Sequence, residues 1–254
     1  ILRNLVRRFR SLGGELRLRS GVTRIEIENG RAVGVVLDDG QEISAHNVVS
    51  SAGIVETMRL TGEEPVNKQE PGQMSFIETI SVLDCVPKQL GHDQTIVFFN
   101  DCDKFHWERP RETLCDTRSG VVCSPNNFLY DNEMLPEGIV RVTLMADYDR
   151  WRALPEEDYR LEKLRWYDRT LESISRFVPD CRNHIVDTDM FTPRTIQRFT
   201  WHDNGAVYGA PEKRLDGKTD MENLFICGTD QGYIGIIGTI VSGILVANRY
   251  LLND

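Results

Sequence analysis

Several things are scarce or missing in these 254 residues, and each absence excludes something. The six cysteines include no C-x-x-C pair, which rules out the paired spacing of zinc ribbons and dithiol redox motifs. Cys102 and His106 fall four apart with Cys115 and Cys123 nearby, yet without a paired spacing no metal site is expected, and reduced, mostly buried intracellular thiols are the default. Basic residues are outnumbered, 30 Lys and Arg against 39 Asp and Glu; the resulting charge of -9 argues against a nucleic-acid partner and gives no pull toward an anionic membrane. The uncharged run from Gly232 to Ala247 is glycine-rich and stops at Asn248-Arg249, short of the roughly 20 apolar residues a membrane span needs. No signal peptide or targeting motif opens the chain, so the sequence reads as cytoplasmic or peripheral to a membrane. No internal repeat appears. His202 and Asp203 are merely adjacent, and no hydrolase arrangement of Ser, His and Asp is evident. No catalytic residue is named.

What is present is concentrated near the end, in Asn223 to Ala247. Leu224 to Cys227 has strand character, Gly228 to Gly232 is a tight turn holding Asp230, and from Gly235 a helix begins that is apolar nearly all round and is therefore expected to be buried. Glycines 232, 235 and 238 recur every third residue and let a backbone or ligand approach closely. Strand, glycine turn and helix N-terminus together can cradle an electron-rich ligand. Packing alone explains the same glycines equally well.

From the start of the chain, Ile1, Leu2, Leu5, Val6, Phe9 and Leu12 mark an amphipathic helix stopped by Gly13-Gly14. Strand-like runs follow at Leu16–Arg19, Val22–Glu28, Arg31–Leu37, Glu42–Ser44 and Val48-Val49, with Asn29-Gly30 as a hairpin turn. Glu63 to Gly72 reads as a crossing. Strands are expected at Phe76–Val86, Thr95–Phe99, Ile139–Ala146 and His184–Asp187, and Asp101–Ser119 as an irregular excursion. Pro155-Glu-Glu starts a long helix with an apolar face of Leu164, Tyr167, Leu171, Ile174 and Val178. After Phe191 to Thr200, the stretch Trp201 to Gly209 interleaves aromatics with Gly205 and Gly209 and reads as a turn passing close to something flat, or as a plain loop plugged into the core by Trp201 and Tyr208.

Three segments in this order resemble FAD-dependent oxidoreductases of the phytoene desaturase type, a group that includes carotenoid isomerases and retinol saturases. They are Gly13 to Ile25 running on to Val48–Gly53, then Thr192-Pro193 with Phe199 and Gly205-Ala-Val-Tyr-Gly209, and Leu224 to Ala247. The resemblance implies an α/β fold: part of a discontinuous Rossmann-like FAD-binding domain, with an inserted α+β substrate domain built on a mostly antiparallel sheet. The expected boundaries are 1–60 and 205–254 for the FAD-binding parts and 61–204 for the substrate domain. The G-x-G-x-x-G that seats the pyrophosphate on a helix N-terminus is not in these residues, and the chain begins at Ile1 inside a helical pattern. It is therefore expected to be a C-terminal portion that binds FAD poorly on its own.

Carried over by position, the resemblance implies that Val22 meets adenine through its backbone and that Ser51, Ala52 and Gly53 leave the domain beside the cofactor. It implies that Gly205 and Tyr208 run along the flavin ring. Gly228, Thr229 and Asp230 would border the pyrophosphate and ribityl chain, with the carboxylate accepting ribityl hydrogen bonds. Gly235, Ile236, Ile237 and Gly238 would aim backbone N–H groups at the flavin's pyrimidine edge. The partner implied is a long apolar molecule, a polyene such as a carotenoid or retinoid, that is desaturated, saturated or isomerised. Two other readings share the scaffold: an amine oxidase-like flavoprotein, and a non-catalytic binding protein like the GDP dissociation inhibitors of small GTPases.

Overall fold

A computed structural model describes residues 2–63, 68–128 and 137–252. The protein is α/β with mostly antiparallel sheets, and its residues group into two units: 1–68 with 213–254, and 69–212. Part of the crossing expected at Glu63 to Gly72, residues 64–67, lies outside the described residues.

The first unit opens with α1 (Leu2–Ser11). An antiparallel sheet follows, made of β1 (Val22–Glu28), β2 (Arg31–Leu37) and β3 (Glu42–Ser44). Asn29 and Gly30 adopt φ of 51° and 78°, the mirror-image turn whose twist matches that of the strands it joins. Next comes β4 (Val48–Ser50), which leads through Ser51 to Gly53 into α2 (Ile54–Thr61). β4 pairs in parallel with β10 (Leu224–Ile226), whose three residues are all buried. The Gly228–Gly232 turn then enters α6 (Gly235–Val246), which loosens into one π-helical turn at Ala247–Leu251. Ile25, Ala32 and Leu224 pack together as a small core.

Three expectations change here. Leu16–Arg19 is not a strand: Leu16 and Leu18 are exposed, and Arg17 bonds Glu15 and Gln41 side chains instead of a neighbouring ladder. α1 is amphipathic as expected, but Leu2, Leu5 and Phe9 on its apolar side are exposed. The largest correction concerns α6. Its all-round apolar composition demands burial, yet Ile236 is 72% and Ile237 69% exposed, because no described element covers that side; only Ser242 and Val246 are fully inside.

The second unit is built on β5 (Ser75–Leu83), β6 (Ile96–Asn100), β7 (Cys115–Cys123), β8 (Gly138–Ala146) and β9 (Ile185–Phe191). They form one antiparallel sheet in the order β6-β7-β8-β5-β9. Along β8, Val140, Val142 and Leu144 turn inward while Arg141 and Thr143 lie between them, the two-residue period of a half-buried strand. Each such aliphatic side chain contributes about 1.5–3 kcal/mol by leaving water. Helix α3 (Tyr148–Ala153) follows, capped by the Asp147 side chain accepting from Arg150 N–H. Helix α4 (Glu156–Ile174) then packs over β7 and β8.

Glu156, Glu157 and Asp158 in the first turn of α4 suit the positive end of its dipole. Its buried face is carried by Trp166, Thr170, Leu171 and Ile174, so Leu164, expected inside, is exposed. Thr170 is tolerated there because its hydroxyl donates to the Trp166 carbonyl at 2.6 Å. The expected excursion at Asp101–Ser119 ends early, since β7 begins at Cys115: Cys115 pairs with β8 and Ser119 with β6, across an irregular register between Cys115 and Gly120. Arg109, within the excursion, is held by a buried pair with Asp147 (2.8 Å) and also reaches Asp149 (2.7 Å).

Candidate functional site

In the first unit the strand–turn–helix stretch is tied together by side chains that sequence spacing does not reveal. Gly228 N–H donates to Ser242 Oγ at 2.6 Å, the Ser242 hydroxyl donates to Gln231 Oε1 at 2.5 Å, and Gln231 Nε2 donates to the Leu215 carbonyl at 3.2 Å. This chain sets the turn against the middle of α6, at Ser242. Gly228, Thr229 and Asp230 sit within it, with Gly228 at φ 94° and Gly235 at φ 73°. Both glycines look onto open space where a Cβ would stand. The N-terminus of α6 has no side-chain cap, so the backbone N–H groups of Gly235, Ile236 and Ile237 meet no intrahelical acceptor. Gly238 differs: its Cα faces the Tyr233 backbone, and it serves close packing.

Asp230 is 2% exposed and accepts the Ile54 N–H at 2.7 Å, closing the N-terminus of α2 across 176 positions of sequence. Gly53, the residue before that helix, stands at φ 98° and offers no side-chain cap of its own. Asp230 thus supplies from afar what the local sequence lacks. Lys213 Nζ lies 3.8 Å from the other carboxylate oxygen. Burial lowers the Lys213 pKa, while Asp230 pulls it back up. Next to this cluster, burial raises the Cys227 thiol. Ser51, Ala52 and Gly53 lead from β4 into α2 beside Asp230, with Ala52 N–H donating to Ser50 Oγ at 3.3 Å. Val22 stands at the head of β1, opposite Leu37 and next to a register shift.

Gly205 and Tyr208 lie in the second unit, whereas the sequence groups them with the C-terminal segment. The loop carrying them follows α5 (Pro193–Thr200), a helix that sequence reading left unassigned. Pro193 in its first turn and Thr192 paired with Thr195 were the overlooked signal. The loop is stitched to the segment before β5: Ser75 Oγ donates to the Gly205 carbonyl (2.7 Å), Val207 N–H to the Met74 carbonyl (3.0 Å) and Asn204 Nδ2 to the Gly72 carbonyl (2.9 Å). Gly72 runs so close to the Gly209 carbonyl that no side chain fits. Tyr208 is thereby set edge-on to Phe76, with ring centroids 6.1 Å apart.

Tyr208 and Phe76 form part of the wall of a cleft of about 370 Å³ on this sheet. Met74, Phe98, Phe105 and Trp107 continue that wall, and Phe98 and Phe105 tilt against each other at 6.4 Å. Among the described residues that line it, His106 is the single imidazole and none is a carboxylate or a lysine. Such a surface binds by apolar burial and ring contacts. Cys102, His106, Cys115 and Cys123 do not gather into a metal-ligating group among the described residues; Cys102 instead donates to Asn100 Oδ1, and Cys115 is buried.

Residues 2–251 match the flavin containing amine oxidoreductase family. The chain belongs to that family. It is 26% identical to a chloroplastic prolycopene isomerase of Daucus carota, over 98% of this chain and 42% of that protein. It is likewise 26% identical to a lycopene-forming phytoene desaturase of a Paracoccus species, over 76% of this chain and 40% of the relative. The chain therefore spans less than half the length of these curated relatives. Among solved structures, an oxidoreductase from Methanosarcina mazei shares the fold at a TM-score of 0.57 and 17% identity, over 96% of this chain and 52% of that one. A putrescine oxidase shares it at 0.56 and 14%, over 96% and 51%. No helix among the described residues is long and apolar enough to cross a membrane.

The first unit's residues suit the flavin that names this family. The uncapped amides at the start of α6 and the open glycines at 228 and 235 fit an electron-rich ring edge. The Asp230 carboxylate is engaged by the Ile54 N–H and so shapes that corner.

Proposed function

We propose that this chain is part of an FAD-dependent oxidoreductase acting on a long apolar substrate, a polyene such as a carotenoid or retinoid, by desaturation, saturation or isomerisation. The observation that carries the reading is the aromatic cleft of the second unit. A linear polyene offers flat π-surface and no hydrogen-bonding groups along its length, and it gains most from apolar walls set with aromatic rings. A protonated amine would meet no carboxylate there, which favours the polyene over the amine oxidase-like reading. We further read the first unit as a discontinuous Rossmann-like part and residues 69–212 as an inserted substrate domain.

Bound flavin would supply the acceptance or return of a hydride or electrons. The chain's own share is binding and orientation. Gly235, Ile236 and Ile237 would present N–H groups to the flavin's pyrimidine edge, favouring the reduced, more negative form. Ser242 and Gln231 would keep the Gly228 turn in place. Tyr208 and Phe76 would hold the polyene plane. With no G-x-G-x-x-G in these residues, FAD affinity of this chain by itself is expected to be weak.

The test is titration of the protein with a long linear polyene in mild detergent, followed by quenching of tryptophan emission from Trp107 in the cleft. The Phe98→Ala and Tyr208→Ala variants should each weaken binding by roughly tenfold. Unchanged quenching in both variants would remove the cleft from the reading.

A further inference from the structure

β5 and β9 are neighbours, with Leu83 opposite Ile185. That register brings Asp84, one residue past β5, level with His184, one residue before β9. The Asp84 N–H donates to the His184 carbonyl at 2.9 Å, and His184 Nδ1 lies 2.9 Å from Asp84 Oδ1. Cys85 follows directly, and a ligand atom from each of the three residues falls within 4.8 Å of the other two. The Cys85 backbone is fixed from another side by Gly138 at the head of β8, which lies so close to the Cys85 carbonyl that no Cβ fits between them. Three strands thus hold one carboxylate, one thiol and one imidazole around a common point.

We propose that Asp84, Cys85 and His184 form a binding site for a divalent cation of the zinc class. Sulfur, imidazole nitrogen and carboxylate oxygen together are the donor set such an ion takes, whereas calcium and magnesium select oxygen throughout. Ligands about 2.0–2.3 Å from a tetrahedral ion stand roughly 3.5 Å apart, so small rotamer changes close this site. His184 and Asp84 are 40% and 56% exposed at their side chains, which gives the ion a way in and leaves its fourth position to water. A cation at the shared point takes the sulfur as thiolate. The bland alternative, a surface His–Asp pair worth at most about 1 kcal/mol, has no use for the thiol.

The site is separate from the cleft. Phe76 lies near one end of β5 and Asp84 just past the other, a span of roughly 27 Å at the rise of an antiparallel strand. The ion's effect is to clip β9, an outer strand of the sheet, to β5 just past the Leu83–Ile185 pair that ends their ladder.

The experiment titrates the metal-stripped protein with cobalt(II) as a spectroscopic stand-in for zinc. The expected result is one saturable site per chain, with a thiolate-to-cobalt charge-transfer band that zinc abolishes by displacement. Cys85→Ser should eliminate the band, and His184→Gln, an exposed change that spares the core, should weaken cobalt binding by roughly a hundredfold. Zinc should raise the melting temperature of the parent protein and leave that of Cys85→Ser unmoved. Saturable binding without a thiolate band overturns the proposal. So does a band that survives in Cys85→Ser, which would assign it to Cys102, Cys123 or Cys227, and so does the lack of any saturable binding.

Discussion

The two units differ in how far they enclose their apolar helices. In residues 69–212 the sheet and α4 enclose a continuous core in which Leu83, Val122, Val142, Leu144 and Trp151 are fully buried. In residues 1–68 with 213–254, α1 and α6 carry strongly apolar faces that stay exposed, while a small cluster at Ile25, Ala32 and Leu224 holds the strands. The difference teaches that an apolar sequence states a demand for cover, and that only tertiary neighbours decide whether it is met. Large exposed apolar surface on a folded protein marks a place where something else docks or binds.

The contrast can be broken at its strongest point first. Arg109 and Asp147 are 5% and 4% exposed at their side chains, so Arg109→Met should cost about 3–5 kcal/mol of stability in urea unfolding by stranding a buried carboxylate. Burial works against the Asp147 carboxylate, but bonds from Arg109 and the Arg150 N–H outweigh it and hold its pKa below the ordinary range. A depressed folded-state value means that the stabilisation is present above the unfolded pKa of about 4 and is lost as pH falls below it. The acid branch of the stability curve should therefore be steep in the parent and flatter in Arg109→Met; equal slopes would show that the pair does not govern it.

In the first unit the matching change is Asp230→Ala, which leaves the Ile54 N–H without its acceptor and should cost about 1–3 kcal/mol. Amide exchange at the start of α2 should rise in step. Unaltered exchange would mean that Asp230 does not close that helix. The smallest effect belongs to Ile237→Ser on the exposed side of α6, expected within about 0.5 kcal/mol of the parent. A larger loss would mean that α6 is covered in solution, and the comparison would need redrawing.

Much of the fold could be read where a pattern is carried locally. The alternation in β8, the Asn29-Gly30 turn and the acidic start of α4 each lie within a few residues and depend on no distant partner. The strand, turn and helix at 224–246 were visible for the same reason. What escaped depends on closure between remote residues. Nothing local announces that Ser242 will anchor Gly228, that Asp230 will cap α2, or that Asp84 will face His184 from 100 positions away. β7 was hidden because its polar start, Asp116 to Ser119, reads as loop, and of that stretch only Ser119 finds a strand partner, Asn100 of β6. Leu164 was misplaced because helical spacing fixes which residues share a face but not which face turns inward.

The parallel pairing of β4 with β10 also has a consequence in time. A chain made from its N-terminal end releases β4 and the start of α2 long before β10 and Asp230 exist. In that interval β4 is an unpartnered strand, and the Ile54 N–H has only water to bond. The sheet of residues 69–212 has no such wait, because its strands pair among themselves. The middle of the chain can therefore solidify first and turn a long flexible loop, costly to close, into a folded spacer between the two halves of the first unit. Stalled synthesis within that spacer would leave the cleft-bearing sheet competent to fold and β4 without its partner β10.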